Sequence, residues 1–126
     1  MSNGIGAIYI EHIAIIVTDL DRAKRFYSAV LGLTEVPRPE SFDFPGAWYQ
    51  MGSTCLHLLA KPNWDGESAR HFCIRVPDIR AAAKHLESSH WPVRWEARYK
   101  IISIDRFFIY DPDGNRIEVA GPEVGS

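Results

Sequence analysis

The stretch RFFIYDPDGNRIEV, residues 106–119, predicts a β-hairpin whose second strand carries a carboxylate. An aromatic and β-branched run precedes the turn-forming residues 111–115, and a second short strand follows them. Because side chains alternate along a strand, Ile117 and Val119 share one face and Glu118 lies on the other. Glu118 therefore points away from the apolar layer, either as a solvated residue or as part of a site.

Two histidine-containing segments indicate that the chain repeats one unit. HIAIIVTDL, residues 12–20, aligns with HFCIRVPDI, residues 71–79, so that a His, a Val and an Asp coincide. With nearly the same offset, His57 in CLHLL falls beside Glu118 in NRIEV. The sequence therefore predicts two copies, at about residues 8–61 and 70–120, each with one candidate ligand on its first strand and one on its last.

Each copy is predicted to fold as β-α-β-β-β, giving one α+β domain with a curved mixed sheet over residues 1–126. The first helix begins with a capping hydroxyl near Thr18 and ends at Gly32, and the second begins at Asp78 and is ended by Pro92. The predicted strands cover residues 10–17, 33–36, 47–51 and 54–60 in the first copy, and 71–76, 93–95, 101–110 and 115–120 in the second.

Composition excludes several classes of function. The 126 residues are 46% hydrophobic, enough for one compact domain, and a net charge of -2 without a Lys or Arg run argues against a nucleic-acid partner. No apolar stretch approaches the roughly 20 residues of a membrane helix, and the N-terminus lacks the form of a signal peptide. With only two cysteines, the expectation is a cytoplasmic protein that does not bind membranes.

Three histidines and one glutamate on predicted strands suit a divalent transition metal. Imidazole and carboxylate groups bind Zn, Ni, Co, Mn or Fe(II), and a curved sheet can bring strand-borne ligands together. The candidate metal ligands are His12, His57, His71 and Glu118. The other two histidines, His85 and His90, lie on or just after the second helix and are predicted to be surface residues.

Strand parity indicates which other side chains line the site. Arg75 shares a face with His71, where a guanidinium can hold a carboxylate or phosphate, although a strand-end arginine that reaches solvent fits equally well. A second row shares one face of the penultimate strand, with Phe107 and Ile109 assigned to the core. The predicted substrate-binding residues are Arg75, Arg106, Phe108 and Tyr110.

The segments HIAIIVTDLDRAKRFYSAVLGL and FFIYDPDGNRIEV resemble the vicinal oxygen chelate superfamily, which includes glyoxalase I, methylmalonyl-CoA epimerase, fosfomycin and bleomycin resistance proteins, and extradiol dioxygenases. The resemblance extends over residues 12–119 and implies a paired β-α-β-β-β fold. It implies metal ligands at His12, His71 and Glu118, with a variable fourth at His57. It also implies a small-molecule substrate and a homodimer, often with the metal site completed across the interface.

The resemblance further implies a metal-dependent lyase or isomerase of glyoxalase type, in which the metal stabilises an enediolate on a substrate chelated through adjacent oxygens. Glu118 would act as ligand and base, and His57, in the place of a Glu or Gln in relatives, would ligate the metal or move a proton. The alternatives are a fosfomycin-type thiol transferase, an extradiol-type dioxygenase and a drug-binding resistance protein. Ala14 and Phe108 depart from the fosfomycin pattern, extradiol enzymes usually carry two such modules per chain, and the drug-binding proteins typically lack the ligands.

Overall fold

The computed structural model describes residues 4–63, 68–96 and 105–122. The chain divides into two compact units, Met1–Trp64 and Asp65–Ser126. Both units have the strand and helix order β-α-β-β-β, which confirms the predicted module and its tandem repeat. The assignment of both units to a single domain stays a prediction.

The first unit contains a four-stranded mixed sheet and one helix. The strand order is β1-β4-β3-β2, with β1 parallel to β4 and the other pairs antiparallel. Its elements are β1 (His12–Val17), α1 (Leu20–Lys24), β2 (Thr34–Val36), β3 (Gly46–Met51) and β4 (Thr54–Ala60).

Helix α1 continues with wider, π-type turns over Arg25–Val30, where Leu31 N donates to Phe26 O, and the chain leaves the helix at Gly32 as predicted. The predicted hydroxyl cap is wrong. The carboxylate of Asp19 accepts the helix-capping bond from Arg22 N at 3.0 Å, while the Thr18 hydroxyl is occupied by the Arg22 side chain.

Alternation along β3 and β4 separates a core face from a second face. The core face carries the buried side chains Ala47, Tyr49, Leu56 and Leu58. Tyr49 packs against Tyr27 of the helical segment at a ring-centroid distance of 5.9 Å. The register of the strands places Trp48 beside His57 on the face away from the helix.

The second unit repeats this plan. The strand order is β5-β8-β7-β6, with β5 parallel to β8. Its elements are β5 (His71–Arg75), α2 (Ile79–Ser88), β6 (Arg94–Trp95), β7 (Arg106–Tyr110) and β8 (Arg116–Ala120). The first part of the predicted strand over 101–110 lies outside the described residues, as does most of the region 96–100 before it, which the sequence predicts to be a loop or ragged strand.

Helix α2 begins at the predicted cap, because the Asp78 carboxylate accepts a bond from Ala81 N at 3.0 Å. Pro92 does not end it. The helix stops at Ser88, where His90 takes a φ of +59° and Trp91 N donates to Leu86 O, a terminating pattern in which a left-handed residue closes the last turn. No helix of the described part of the chain has the length and apolarity to cross a membrane.

The predicted hairpin between β7 and β8 is confirmed, and a buried carboxylate organises its turn. Asp111 is 4% exposed, and its Oδ1 accepts backbone bonds from Asp113 at 2.9 Å and Asn115 at 2.8 Å. Its Oδ2 accepts a bond from the Asn115 side chain at 2.8 Å. This turn fixes the register that sets Phe108 opposite Glu118.

Candidate metal and substrate site

The structure brings two of the predicted ligands together in the second unit. His71 and Glu118 lie on the adjacent strands β5 and β8, and His71 Nε2 is 3.0 Å from Glu118 Oε1. The other ring nitrogen, Nδ1, is 2.9 Å from the backbone carbonyl of Ala69. The Glu118 side chain is only 12% exposed, so this contact is largely withdrawn from water.

The Ala69 carbonyl determines which nitrogen of His71 faces the carboxylate. A carbonyl only accepts hydrogen bonds, so Nδ1 carries a hydrogen and Nε2 is the ring nitrogen that faces Glu118. A ring nitrogen and a carboxylate oxygen at 3.0 Å require a proton or a metal cation between them. The donor set therefore fits a metal ion, since ligands bound at about 2.0–2.2 Å to one ion lie about 3 Å apart, and ligating histidines commonly have a backbone carbonyl on the other nitrogen.

Two further side chains contact the Glu118 carboxylate. Arg106 Nη1 is 3.5 Å from Oε2, the oxygen that faces away from His71. The Cys73 thiol hydrogen-bonds to the carboxylate, and desolvation by its surroundings together with the Glu118 charge raises the pKa of Cys73 to about 11, although the residue as a whole is exposed. The thiol is therefore neutral at physiological pH, and Arg106 supplies the positive charge beside the carboxylate.

The first unit holds the other two predicted ligands by ring stacking. The His12 and His57 rings are parallel within 9° and 4.2 Å apart, and Trp48 stacks on the other side of His57 at 4.1 Å and 2°. These distances are slightly less than the spacing of adjacent strands, about 4.8 Å, so the three rings stand side by side on the sheet. Desolvation, followed by the neighbouring His12, lowers the pKa of His57, which favours the neutral imidazole that a metal binds.

The four predicted ligands are thus found as one pair in each unit. Among residues 4–63, 68–96 and 105–122, no group of three or more His, Cys, Asp or Glu side chains is arranged to hold a metal ion. Each pair offers two donors of the expected chemical type, and the four-ligand centre stays a prediction.

The predicted substrate-binding residues of β7 share the face of Glu118, and the neighbouring core prediction is confirmed because Phe107 and Ile109 are fully buried. The ring of Phe108 contacts that of His71 at 5.3 Å, and the Arg116 guanidinium lies 3.8 Å from the Phe108 centroid. Three neighbouring side chains have other contacts: Arg106 with Glu118, Tyr110 with the Arg94 guanidinium at 5.4 Å, and Arg75 with the Gly121 carbonyl.

Two arginines near these faces are missing from the sequence-based prediction. Arg116 covers Phe108, and alternation along β8 placed it on the face of Glu118, so its parity could have identified it. Arg38 lies over the rings of Phe42 and Phe44 at 4.6 Å and 4.9 Å and donates to the Phe44 carbonyl. Its signal in the sequence is an arginine between two prolines, just before two phenylalanines. The surface predictions for His85 and His90 are confirmed, as both are exposed.

Comparison with known proteins gives matches along almost the whole chain. The family model described as glyoxalase/bleomycin resistance protein/dioxygenase superfamily matches residues 9–119. Glyoxylase I 4 of Arabidopsis thaliana is 29% identical over 87% of this chain and 68% of its own length. Lactoylglutathione lyase of Haemophilus influenzae is 31% identical over 86% of this chain and 89% of its own length.

A solved structure agrees with these relatives. A Bacillus anthracis protein described as a member of the glyoxalase family has a TM-score of 0.86 and 25% identity, covering 98% of this chain and 100% of its own. The repeated module, the hairpin that carries Glu118 and the extent of the family match lead to one assignment. The chain belongs to the glyoxalase/bleomycin resistance protein/dioxygenase superfamily.

Proposed function

We propose that this protein is a metal-dependent lyase or isomerase of glyoxalase type that acts on a small substrate with two adjacent oxygen atoms. The observation that carries the proposal is the 3.0 Å approach of His71 Nε2 to the Glu118 carboxylate, with Nδ1 of the same ring held at 2.9 Å by the Ala69 carbonyl. Relatives named glyoxylase and lactoylglutathione lyase support this reaction class. His12 and His57 complete the ligand set, from the same chain or from a second copy in a homodimer.

A divalent ion of Ni, Co, Zn, Mn or Fe would act as a Lewis acid on the substrate oxygens. Side chains of the protein itself carry out the proton transfer. Glu118 accepts a proton from the carbon beside a carbonyl, and Arg106 keeps the carboxylate oriented through its Oε2. Neutral His57 either binds the metal or relays a proton. The protonated Cys73 thiol donates a hydrogen bond rather than acting as a nucleophile.

Metal content is the first test of this proposal. Tag-free wild type is compared with Glu118→Gln by inductively coupled plasma mass spectrometry after loading with each candidate metal. The expected result is near-stoichiometric metal in the wild type and at least a tenfold loss in the variant. Glu87→Gln, the same change on an exposed residue of α2, is the control and retains metal. Equal metal in the wild type and Glu118→Gln would contradict the proposal.

Turnover is the second test. Hemithioacetals and 2-oxo thioesters are offered to the metal-loaded protein, and we expect turnover of one class that is lost in Glu118→Gln. A protein that binds metal but turns over neither class would exclude the lyase or isomerase assignment. Assays with fosfomycin plus thiols, and with catechols plus Fe(II), then distinguish the thiol transferase and dioxygenase alternatives.

A further inference from the structure

A row of five aromatic rings extends from the proposed ligands of the first unit. Beyond the stacked group of His12, His57 and Trp48, the ring of Phe42 lies 6.0 Å from Trp48, and Phe44 lies 5.5 Å from Phe42. Both outer contacts are edge-on, at 65° and 66°. Phe42 is 41% exposed although it belongs to this cluster, so part of the row is open to solvent. We call these five side chains the ring row.

Two cations mark the far end of the ring row. The Arg38 guanidinium carbon is 4.6 Å from the Phe42 centroid and 4.9 Å from that of Phe44, and Lys61 Nζ is 4.3 Å from the Phe44 centroid. Arg38 is also held by the Phe44 carbonyl at 2.7 Å. Gly46 makes room for it, because a Cβ at Gly46 would lie 3.1 Å from the guanidinium and would collide with the Leu58 carbonyl.

No carboxylate of the described residues forms an ion pair with either cation. The two acids of the same loop, Glu40 and Asp43, are exposed and make no such contact. An arginine fixed by two rings and a carbonyl has already lost most of its conformational freedom, so little entropy remains to be lost when its remaining donors bind an anion. A site for a negative group is therefore built at this end.

The rings themselves favour a planar partner. Because His12 and Trp48 cover both faces of His57, the part of the His57 ring that remains open is its edge, which carries the positive side of the ring quadrupole. A flat, electron-rich ring lying across this edge makes an edge-to-face contact with His57. Its anionic substituent would then reach the cations beyond Phe42.

We propose that the ring row, with Arg38 and Lys61, binds the part of the substrate that is remote from the reaction, and that this part is an aromatic group bearing a carboxylate or another anion. This inference rests on the proposed function, since His57 belongs both to the ring row and to the proposed ligand set. It names the substrate class that the enzyme takes.

The test uses 2-naphthoate and its uncharged amide, 2-naphthamide, as probes in calorimetric titrations of metal-loaded wild type. We expect naphthoate to bind at least tenfold more tightly than the amide. In NMR spectra of the same protein, we expect naphthoate to shift the indole N–H signal of Trp48. Arg38→Gln weakens naphthoate about tenfold and Lys61→Gln about threefold, and both leave the amide within twofold. Arg80→Gln, which removes a guanidinium that lies over Trp95 at 4.5 Å in the second unit, is the matched control and changes neither.

Equal affinity of wild type for naphthoate and the amide would overturn the inference. So would Lys61→Gln and Arg38→Gln variants that bind naphthoate as the wild type does. Lys61 is exposed, so its variant stays informative even if Arg38→Gln disturbs the loop. Normal metal content and turnover without a preference for naphthoate would overturn this inference alone. If loading leaves the protein without metal, the same titrations are run on the metal-free protein, and a preference for naphthoate there would overturn the proposed function alone.

Discussion

The two units place candidate ligands at matching positions but hold them by different physical means. In the first unit, His57 lies between two parallel rings, and its surroundings favour the neutral imidazole. In the second unit, His71 is aimed by a backbone carbonyl at a carboxylate that also contacts a guanidinium. The ligands thus occupy matching positions, but rings pack one pair and a charged network holds the other. In the first pair, His12 Nδ1 lies 3.3 Å from the carboxylate of the exposed Glu11.

This difference indicates that the two units make different contributions to the site. The Glu118 carboxylate supplies most of the attraction for a divalent ion and is also the group that accepts a proton. The stacked rings supply rigidity and an aromatic surface, because rings whose faces are already in contact cannot rotate freely. We expect substitutions in the second unit to change metal affinity most, and those in the first unit to change stability and binding of the substrate.

The largest effect is expected from His71→Asn. Because the change removes a proposed ligand and releases Glu118 to Arg106, metal affinity falls at least about 100-fold, more than the roughly 10- to 100-fold typical of outer-shell changes. His12→Asn, the same substitution in the first unit, costs about tenfold, and the exposed His85→Asn costs nothing. Competition with a chromophoric chelator measures all three metal affinities. Equal losses of affinity for His71→Asn and His12→Asn would refute the different contributions of the two units.

A smaller effect is expected when the stacking itself is removed. Trp48→Ala takes away one stacked face of His57 and a contact of Phe42, so the free energy of unfolding falls by about 2–3 kcal/mol. Urea denaturation followed by circular dichroism measures the loss. Trp95→Ala in the second unit is the control, and because Trp95 is 41% exposed we expect less than about 1 kcal/mol. A Trp48→Ala protein as stable as the wild type would show that stacking does not hold the pair.

The two cysteines, one in each unit, allow the units to be compared by the rate of thiol alkylation in the metal-free protein. Cys55 is 7% exposed and stays unmodified, whereas Cys73 reacts slowly because its pKa is about 11. A raised pKa leaves the thiol protonated below pH 11, so the rate rises about tenfold per pH unit up to that point and lies about 20-fold below that of a free cysteine at pH 8. Mass spectrometry of iodoacetamide adducts follows both sites. Glu118→Gln accelerates Cys73, and an unchanged rate would contradict the role of the carboxylate.

The smallest effect concerns the support behind the ring row. The Tyr49 hydroxyl is 2.8 Å from the Ser28 hydroxyl, and Tyr49→Phe removes that bond at a cost of about 1 kcal/mol in the free energy of unfolding. Tyr110→Phe changes a half-buried tyrosine on the Glu118 face of β7, serves as the comparison in the second unit, and stays within about 0.5 kcal/mol. Thermal and urea unfolding of both variants give the difference, and a cost reversed between the two would require a different account of Tyr49.

Much of the fold was predictable because it depends on local patterns. The repeated His-Val-Asp spacing and the hairpin sequence predicted the tandem module, and alternation identified Phe107 and Ile109 as core. The errors concern the ends of the two helices, where more than one residue can cap or terminate the helix. Asp19, not Thr18, caps the first helix because the Thr18 hydroxyl binds an arginine side chain, and a left-handed His90 ends the second helix without the glycine that usually signals such a turn.

The site was predictable only where strands carry it. Parity placed Arg106 and Phe108 together on the non-core face of one strand and Glu118 on the non-apolar face of the next, and the register of the hairpin brings these two faces together. The position of Arg38 depends on how a loop with three prolines folds against two rings and a glycine, which has no periodicity to read. The stacking of His57 between two rings likewise depends on inter-strand register, which a single sequence does not specify.

The turn organised by Asp111 limits how the length of this chain can change. Its carboxylate holds the turn at a fixed number of residues, so the count between β7 and β8 is set by three hydrogen bonds. Because side chains alternate, the gain or loss of one residue there would exchange Glu118 with its apolar neighbours Ile117 and Val119. Insertion of a single residue in this turn would thus direct the Glu118 side chain towards the protein core, although every residue of the site would still be present in the sequence.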